Sequence, residues 1–416
     1  MLTRRWAIVC SMKRWILPLS LSAILAADAQ TPAVVVRAGR LWDGAKTLLN
    51  ATVVIENGKI VSVGTGRVKA RPGATEIDLS KYTVIPGLID LHTHMTYYWD
   101  QTPGTRPLSQ ARRTAAQTAE LSAANAMKTL ETGVTTARDL GASGGADYLM
   151  RDAIAAGRMT GPRLIVAGGG VSAGRGSTAE TLAQVARDRV KSGSDWVKVY
   201  GSRGSFQSVD TTQTLTFEQM KAIVDAAHEL GHKVAIHSYG ASGVKDAVRA
   251  GADSVEHGIE LDDETLADMK RRGTVWVPTI DHNQYYVDAH ADYGWAADVV
   301  PPLQEYIAKN LESTRRAFRA GVKLGMGSDA VYSGFGRNTG ELAWFVRAGM
   351  TPAQALATAT TIPAELLGMN DTLGRIAKGF AADLVAVDGN PLVKIDALFT
   401  GVRLVIKDGK IVVDKR

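Results

Sequence analysis

Between Pro86 and Gly368, short apolar runs alternate with amphipathic stretches, and this alternation constrains the fold more than any other feature of the 416-residue chain. The strand candidates are Gly87 to His92, Val134 to Asp139, Arg163 to Ala167, Trp196 to Tyr200, Val234 to His237, Ser254 to His257, Val275 to Pro278 and Lys323 to Gly327. Helix candidates separate most of them, among them Thr216 to Leu230, Gly243 to Ala250, Asp263 to Arg272 and Pro302 to Ala320. Strands and helices in this order predict an α/β chain of parallel βα units closed into a (β/α)8, TIM-type barrel. A doubly wound open sheet is the alternative, but no glycine-rich phosphate turn follows the first strand candidate.

The two ends of the chain read differently. Residues 33 to 41 and 52 to 63 are rich in β-formers, and Asn57-Gly58 marks a two-residue hairpin. The same pattern returns at Val405 to Val412 around Asp408-Gly409. The economical use of matching hairpins is a small β-sandwich domain built from residues 30–85 and 372–416, with the barrel, residues 86–371, inserted between its halves. A hydrophobic content of 45% supports one large core plus such a satellite. A charged content of 22% sets disorder and fibrous classes aside.

Residues 1–29 have the form of a secretory signal peptide. Lys13 and Arg14 precede an apolar run from Trp15 to Ala27, and Ala27-Asp28-Ala29 supplies the small-x-small cleavage site. Roughly a dozen apolar residues are too few to span a bilayer, which takes about 20, so a secreted or periplasmic protein without a stable membrane anchor is expected. Met12 competes with Met1 as the initiator. Removing the leader takes Arg4, Arg5, Lys13, Arg14 and Asp28, and the balance moves from 48 basic against 42 acidic residues to 44 against 41. No Lys/Arg run longer than the three residues Lys270 to Arg272 remains, which argues against nucleic acid as a partner. The single cysteine, Cys10, leaves with the leader, so any metal site must use imidazole, carboxylate or carbamate.

In such a barrel the functional side chains sit where strands end. His92 and His94 end the first strand, Lys198 lies in the fourth, His237 ends the fifth, His257 the sixth, and Asp329 follows the eighth. His92-Thr93-His94 places two imidazoles on one face of a strand, within reach of one ion. Each signal alone has a structural explanation, such as a satisfied barrel histidine or a turn aspartate. Their conjunction in strand register points to metal. Lys198 occupies Trp196-Val197-Lys198-Val199-Tyr200, where alternation turns it into the barrel interior. A buried ammonium must be paired or changed. One reading is an ion pair with a barrel carboxylate. The other, which fits the neighbouring ligands better, is a lysine whose amine has taken up carbon dioxide to give a carbamate bridging two cations.

The segments Val84 to His94, Ser254-Val-Glu-His-Gly258, Gly327-Ser-Asp-Ala330 and Gly379 to Val385, with Lys198 and His237, resemble the amidohydrolase superfamily over nearly the whole chain after the leader. The resemblance is to its binuclear, carboxylated-lysine branch, and within that to the imidazolonepropionase-like group of Xaa-Pro-type dipeptidases and ochratoxin amidohydrolases. The resemblance implies two divalent ions, zinc being expected. His92, His94 and Asp329 would hold one, His237 and His257 the other, and N6-carboxylated Lys198 would lie between them. It implies cleavage of an amide or peptide bond by a metal-activated water, with Asp329 as the catalytic proton carrier. A dipeptidase or N-acyl-amino-acid amidase, with ochratoxin-like amides as a variant, is the expected activity.

For substrate, Tyr200 and Arg203 are expected to bind a free carboxylate. His282 is expected to donate to the substrate, and Tyr97, Tyr98 and Trp99 to pack an apolar side chain. Homo-oligomers are compatible with such a chain. A one-metal deaminase or cyclic-amide hydrolase on the same scaffold is the rival reading; it would keep His92, His94, His237 and Asp329 and have no use for Lys198. A non-catalytic scaffold would lack part of the ligand set, which is complete here.

Overall fold

The computed structural model describes residues 33–66, 68, 73–204 and 209–416. The expected leader, Cys10 and the choice between Met1 and Met12 lie outside the described residues. Among those described, the named strands form three sheets. Four strands at the beginning, β1 (Val34–Trp42), β2 (Thr47–Glu56), β3 (Lys59–Thr65) and β4 (Thr75–Pro86), are followed by β5 (Leu88–Thr93), β6 (Val134–Asp139) and β7 (Arg163–Val166). Next come β8 (Trp196–Tyr200), β9 (Lys233–His237), β10 (Ser254–Glu256) and β11 (Val275–Val277). The chain ends in β12 (Leu384–Val387), β13 (Val402–Lys407) and β14 (Lys410–Asp414).

The first and last groups share a seven-stranded sheet in the order β14-β13-β12-β4-β1-β2-β3. The two ends of the chain thus share one continuous, hydrogen-bonded sheet. The reason lies in β4, which pairs with β1 on one side and β12 on the other. The sheet is rolled. Asn57-Gly58 and Asp408-Gly409 both form turns with two positive φ values, the geometry that a two-residue hairpin requires. The two turns meet, since Ala382 N donates to Gly58 O at 2.9 Å and Gly409 N to Ala382 O at 3.0 Å. A Cβ on Gly58 would lie 2.9 Å from the Asp408 carbonyl, so glycine is needed there for approach as well as for φ. Val36, Val53, Ile55, Leu79, Leu384 and Ile406 fill the inside of the roll.

The middle strands are parallel, in the orders β5-β6-β7 and β8-β9-β10-β11. Their residues are buried almost throughout, as in sheets covered on both faces. Hydrogen bonds join the two sheets at both edges. On one side Val171 N donates to Lys198 O and Tyr200 N to Val171 O, each at 2.8 Å. On the other, residues 323–330 bridge β11 and β5: Trp276 N donates to Lys323 O at 2.9 Å and Leu91 N to Met326 O at 2.9 Å.

That bridging segment is the expected eighth strand, Lys323 to Gly327, and it is not a regular strand. Only isolated pairings at Leu324 and Ala330 occur there. Neighbours crowd the backbone; a Cβ at Gly325 would lie 2.4 Å from Leu91 Cδ1 and one at Gly327 2.4 Å from Val277 Cγ1. Met326 N donates out of the ladder to Thr358 O at 2.8 Å. The expected helices are present, at Phe217–Glu229, Ala241–Ala250, Asp263–Arg272 and Val300–Ala320. The first of these is closed by a capping box, in which Thr216 and Gln219 satisfy each other's backbone amides.

Arg163, at the start of β7, ties the parallel strands to the rolled sheet. Its Nη1 donates to Thr136 Oγ1 at 2.8 Å and to Asp383 Oδ2 at 3.0 Å, and its Nη2 pairs with Asp408. Asp383 is buried and Asp408 half exposed, with side-chain exposures of 7% and 46%. Replacing Arg163 by Ala strands the buried carboxylate and is expected to cost about 3 kcal/mol. Asp408→Asn is expected to cost less than about 1 kcal/mol. Chemical denaturation of the two variants checks the order.

Candidate active site

Four of the parallel strands deliver charged or metal-competent side chains to one place. Trp196, Lys198 and Tyr200 share a face of β8, and the register sets Lys198 beside Ala235 and Tyr200 beside His237 of β9. His237 in turn pairs with Glu256 of β10. His92 comes from β5, His94 from the residue after it, His257 from the residue after β10, and Asp329 from the bridging segment. His92, Lys198 and His257 are each 1% exposed and Asp329 5%.

The Asp329 carboxylate is the centre of the cluster. Its Oδ1 lies 3.2 Å from His94 Nε2 and 3.5 Å from His92 Nε2. Its Oδ2 lies 3.3 Å from His282 Nε2 and 4.0 Å from His257 Nε2. Lys198 Nζ is 3.4 Å from His92 Nε2. Ligand atoms of His92, His257 and Asp329 all lie within 4.8 Å of one another, close enough to share one ion.

The far nitrogens of the rings are occupied. His92 Nδ1 is 2.9 Å from Glu256 Oε2, His94 Nδ1 donates to the Gly141 carbonyl at 3.0 Å, and His257 Nδ1 is 2.6 Å from Thr279 Oγ1. A proton held at Nδ1 leaves the Nε2 lone pair facing Asp329, the arrangement that orients metal-binding imidazoles. His237 is different. Its ring lies against that of His257, with centroids 4.5 Å apart, but its Nε2 donates to the Arg203 carbonyl at 3.0 Å. The structure therefore places His237 beside the cluster and not within it.

Electrostatics match the geometry. Burial, followed by the charge of Lys198, lowers His92 to about 4 and His237 to about 3. Burial and the charge of His237 hold His257 well below the usual range. Burial opposes the charge on His94, but the hydrogen bond and charge of Asp329 outweigh it and raise that ring. Burial would likewise raise Asp329, yet the neighbouring His282, His92 and His94 hold it well down. Burial brings the Lys198 ammonium down to about 8, against the pull of Glu256 and Asp329. With His92, His257 and His282 lowered and Asp329 held ionised, these groups are in the protonation state that a divalent cation requires, and an ion would have to displace the proton that Asp329 favours on His94.

The backbone is strained where these groups are presented. His257, Thr279 and Asp329 have φ of 67°, 51° and 49°, left-handed values that cost non-glycine residues free energy. Each is held by its surroundings. His257 N donates to Val277 O at 2.8 Å and Asp329 N to His92 O at 2.6 Å, while Thr279 Oγ1 meets His257 Nδ1.

Beneath the cluster lies a layer of buried charge that sequence reasoning missed. Glu256 Oε1 accepts from Arg138 Nη2 at 2.9 Å and from Ser254 Oγ at 2.6 Å, while its Oε2 faces His92. Arg138 caps the arrangement, donating to Leu91 O at 2.6 Å with its guanidinium over the Trp196 ring. Asp90 accepts from Ser328 N, Ser328 Oγ and Asn338 Nδ2 at 2.9, 2.6 and 3.0 Å. The signal that singled out Lys198, a charge at an inward position of an apolar strand, is equally present at Asp90, Arg138 and Glu256.

Above the cluster is a cavity of about 680 Å³. Tyr97 and Tyr200 line it, the former stacked on His94 at 4.8 Å between centroids. His282 reaches it from the helix Ile280–Ala289 and faces Asp329. Tyr239 stacks on His257 and Tyr286 meets His282 edge-on; neither was anticipated. Three of the expected substrate contacts lie outside the lining of this cavity. The Arg203 guanidinium is turned away to Asp210, at 3.2 Å, with its side chain 67% exposed, because Gly204 and not Arg203 fills the position facing the cavity. Tyr98 lines a neighbouring hollow, its ring centroid 5.7 Å from the Arg113 guanidinium carbon. Trp99 is buried elsewhere, its Nε1 donating to Thr105 Oγ1 at 2.9 Å.

Known proteins resemble this chain over most of its length. Residues 83–412 match the model of the amidohydrolase family. The ochratoxinase of Aspergillus niger is 27% identical over 416 aligned residues, which cover 89% of this chain and 84% of that one. The crystal structure of a Xaa-Pro dipeptidase with bound methionine superposes with a TM-score of 0.81 at 32% identity, over 91% of this chain and 99% of that one. A prolidase complexed with N-methylphosphonate-L-proline gives a TM-score of 0.81 at 27% identity, over 92% of this chain and 100% of that one.

The Glu256 carboxylate orients His92, so Glu256→Gln is expected to weaken divalent-metal binding about 10- to 100-fold. Titration with a competing chelator measures the loss.

Proposed function

We propose that this chain, which belongs to the amidohydrolase family and is a hydrolase of carbon–nitrogen bonds, cleaves the amide of a small peptide or N-acyl amino acid with two divalent ions. The observation that carries the reading is the convergence of His92, His94, His257 and His282 on the Asp329 carboxylate, with Lys198 Nζ at its edge. The donor set fits hard or borderline divalent cations, zinc among them. His92, His94 and Asp329 would hold one ion. His257 would hold the second, joined by His237 once it releases the Arg203 carbonyl.

Lys198 supports two ions in place of one. It is fully buried, and among the described residues no carboxylate oxygen comes within ion-pairing distance of its Nζ. An unpaired buried ammonium is costly. As a free amine it attacks carbon dioxide, forming an N–C bond and releasing a proton; the product is an anion, which suits a position between cations.

When bound, the ions supply a polarised scissile carbonyl and an acidified water. The chain's own groups do the rest. Asp329 sits where it can accept the proton of the attacking water and return it to the departing nitrogen, without which an amide does not break. His282, 3.3 Å from Asp329, can share that proton or donate to the substrate oxygen. Tyr97, Tyr286 and Tyr239 wall the cavity.

The parallel strands, joined at both edges through Val171 and residues 323–330, support a (β/α)8 barrel for the middle of the chain. The rolled sheet supports a separate accessory domain. The composition of residues 1–29 supports export to the periplasm or the exterior, and among the described residues no helix is long and apolar enough to cross a membrane.

Metal analysis with kinetics tests the proposal. Two ions per chain are expected in the wild-type protein. In Lys198→Ala, one or fewer is expected, with kcat/KM for dipeptides reduced at least about 100-fold, a loss of about 2.7 kcal/mol in transition-state stabilisation. One ion and full activity in that variant would favour a one-metal hydrolase of cyclic amides.

A further inference from the structure

Among the described residues, those lining the catalytic cavity bring one basic aliphatic side chain to it, Lys198, and no arginine. With Arg203 turned to Asp210, a carboxylate in that cavity would meet no guanidinium. Next to it is a second hollow of about 400 Å³, whose wall contains Arg113. Tyr97, Leu108, Ser143 and Tyr332 line both spaces, so the two are neighbours across a shared, largely apolar partition. Leu108 is 58% exposed, a large apolar surface left open to water at the junction.

Arg113 is half-buried, its guanidinium carbon 5.7 Å from the centroid of the Tyr98 ring. Its Nη2 donates to Gln110 Oε1 at 3.4 Å, and among the described residues no carboxylate lies within 4.0 Å of it. The Asp100 carboxyl feels its charge only at longer range. A guanidinium has five donors, and one is used. A guanidinium with an aromatic ring beside it and donors still free suits a planar carboxylate, which arginine binds with two parallel hydrogen bonds.

We infer that Arg113 anchors a distal subsite for a substrate carboxylate, separated from the scissile amide by an apolar spacer that packs on Leu108, Tyr97 and Tyr332. The inference rests on the amidase reading above and adds the placement of the substrate's charge. Binding covers Leu108, and burial of that surface adds to the affinity for substrates long enough to reach across it.

A spacer series tests this. Leucyl substrates whose second residue is alanine, β-alanine, 4-aminobutyrate or 6-aminohexanoate are assayed with the metal-loaded enzyme, each as the free acid and as the primary amide. The wild-type enzyme is expected to prefer the acid by about 10- to 100-fold in kcat/KM at one or more of the longer spacers. Arg113→Gln brings the acid-to-amide ratio close to one, mainly through KM for the acid; Arg113→Lys restores part of it, and Arg203→Gln keeps the wild-type ratio. A ratio unchanged in Arg113→Gln, one lost in Arg203→Gln, or no acid preference at any spacer overturns the subsite while leaving the amidase reading intact. Failure of the metal-loaded enzyme to hydrolyse either series overturns that reading, and the subsite with it.

Discussion

The carboxylate of Asp329 sits among four imidazoles in a space from which water is nearly excluded, and the surrounding structure is organised around keeping it there. Its position depends on a backbone bend that an aspartate adopts at a cost. That bend is held by the Asp329 N to His92 O hydrogen bond and by Ser328, which binds Asp90 through both amide and hydroxyl. The first parallel strand and the last bridging segment are thus joined at the point where their functional side chains emerge. Because the same contacts place His92 and Asp329, the distance between the two follows from the packing.

A second consequence concerns the charge beneath the cluster. Arg138, Glu256 and Asp90 are fully buried, and each would be expensive alone. They are tolerated because every one is hydrogen-bonded to a neighbour: Arg138 to Glu256, Glu256 to His92, and Asp90 to Ser328 and Asn338. The Arg138–Glu256 pair balances its own charges and also sets a ring tautomer, since the Glu256 carboxylate selects the His92 tautomer with its proton on Nδ1. Lys198 is the member of the region without such a carboxylate, and this is the physical basis for proposing that its chemistry differs.

Above the cluster the character changes to aromatic rings. Tyrosines lie against His94, His237, His257 and His282, so the imidazoles are packed on their faces and edges as well as bonded at their nitrogens. This gives a cavity with apolar walls and a polar floor, suited to a neutral amide flanked by hydrocarbon. The charged end of a substrate, if it has one, is best met outside that cavity.

How much of this was legible in the sequence depended on the range of the interaction. The parallel strands, the capped helices and the two hairpins follow from periodicity and turn chemistry confined to a few neighbouring residues. The candidate ligands were visible because each sits at the end of a recognisable strand. Glu256 and Arg138 carried the same local signal as Lys198, and their meaning depends on a pairing between residues 118 apart in the chain. The orientation of Arg203, the exclusion of Tyr98 from the cavity and the irregular segment at Lys323 to Gly327 had no local signal, because loop paths and close backbone approaches are settled by what packs against them. The sequence alone determined which residues could do chemistry and along which strands they lie. Only the tertiary structure decided which atoms face one another, because hydrogen-bond partners, cavity walls and the rolling of the terminal sheet are made by contacts between segments far apart in the chain.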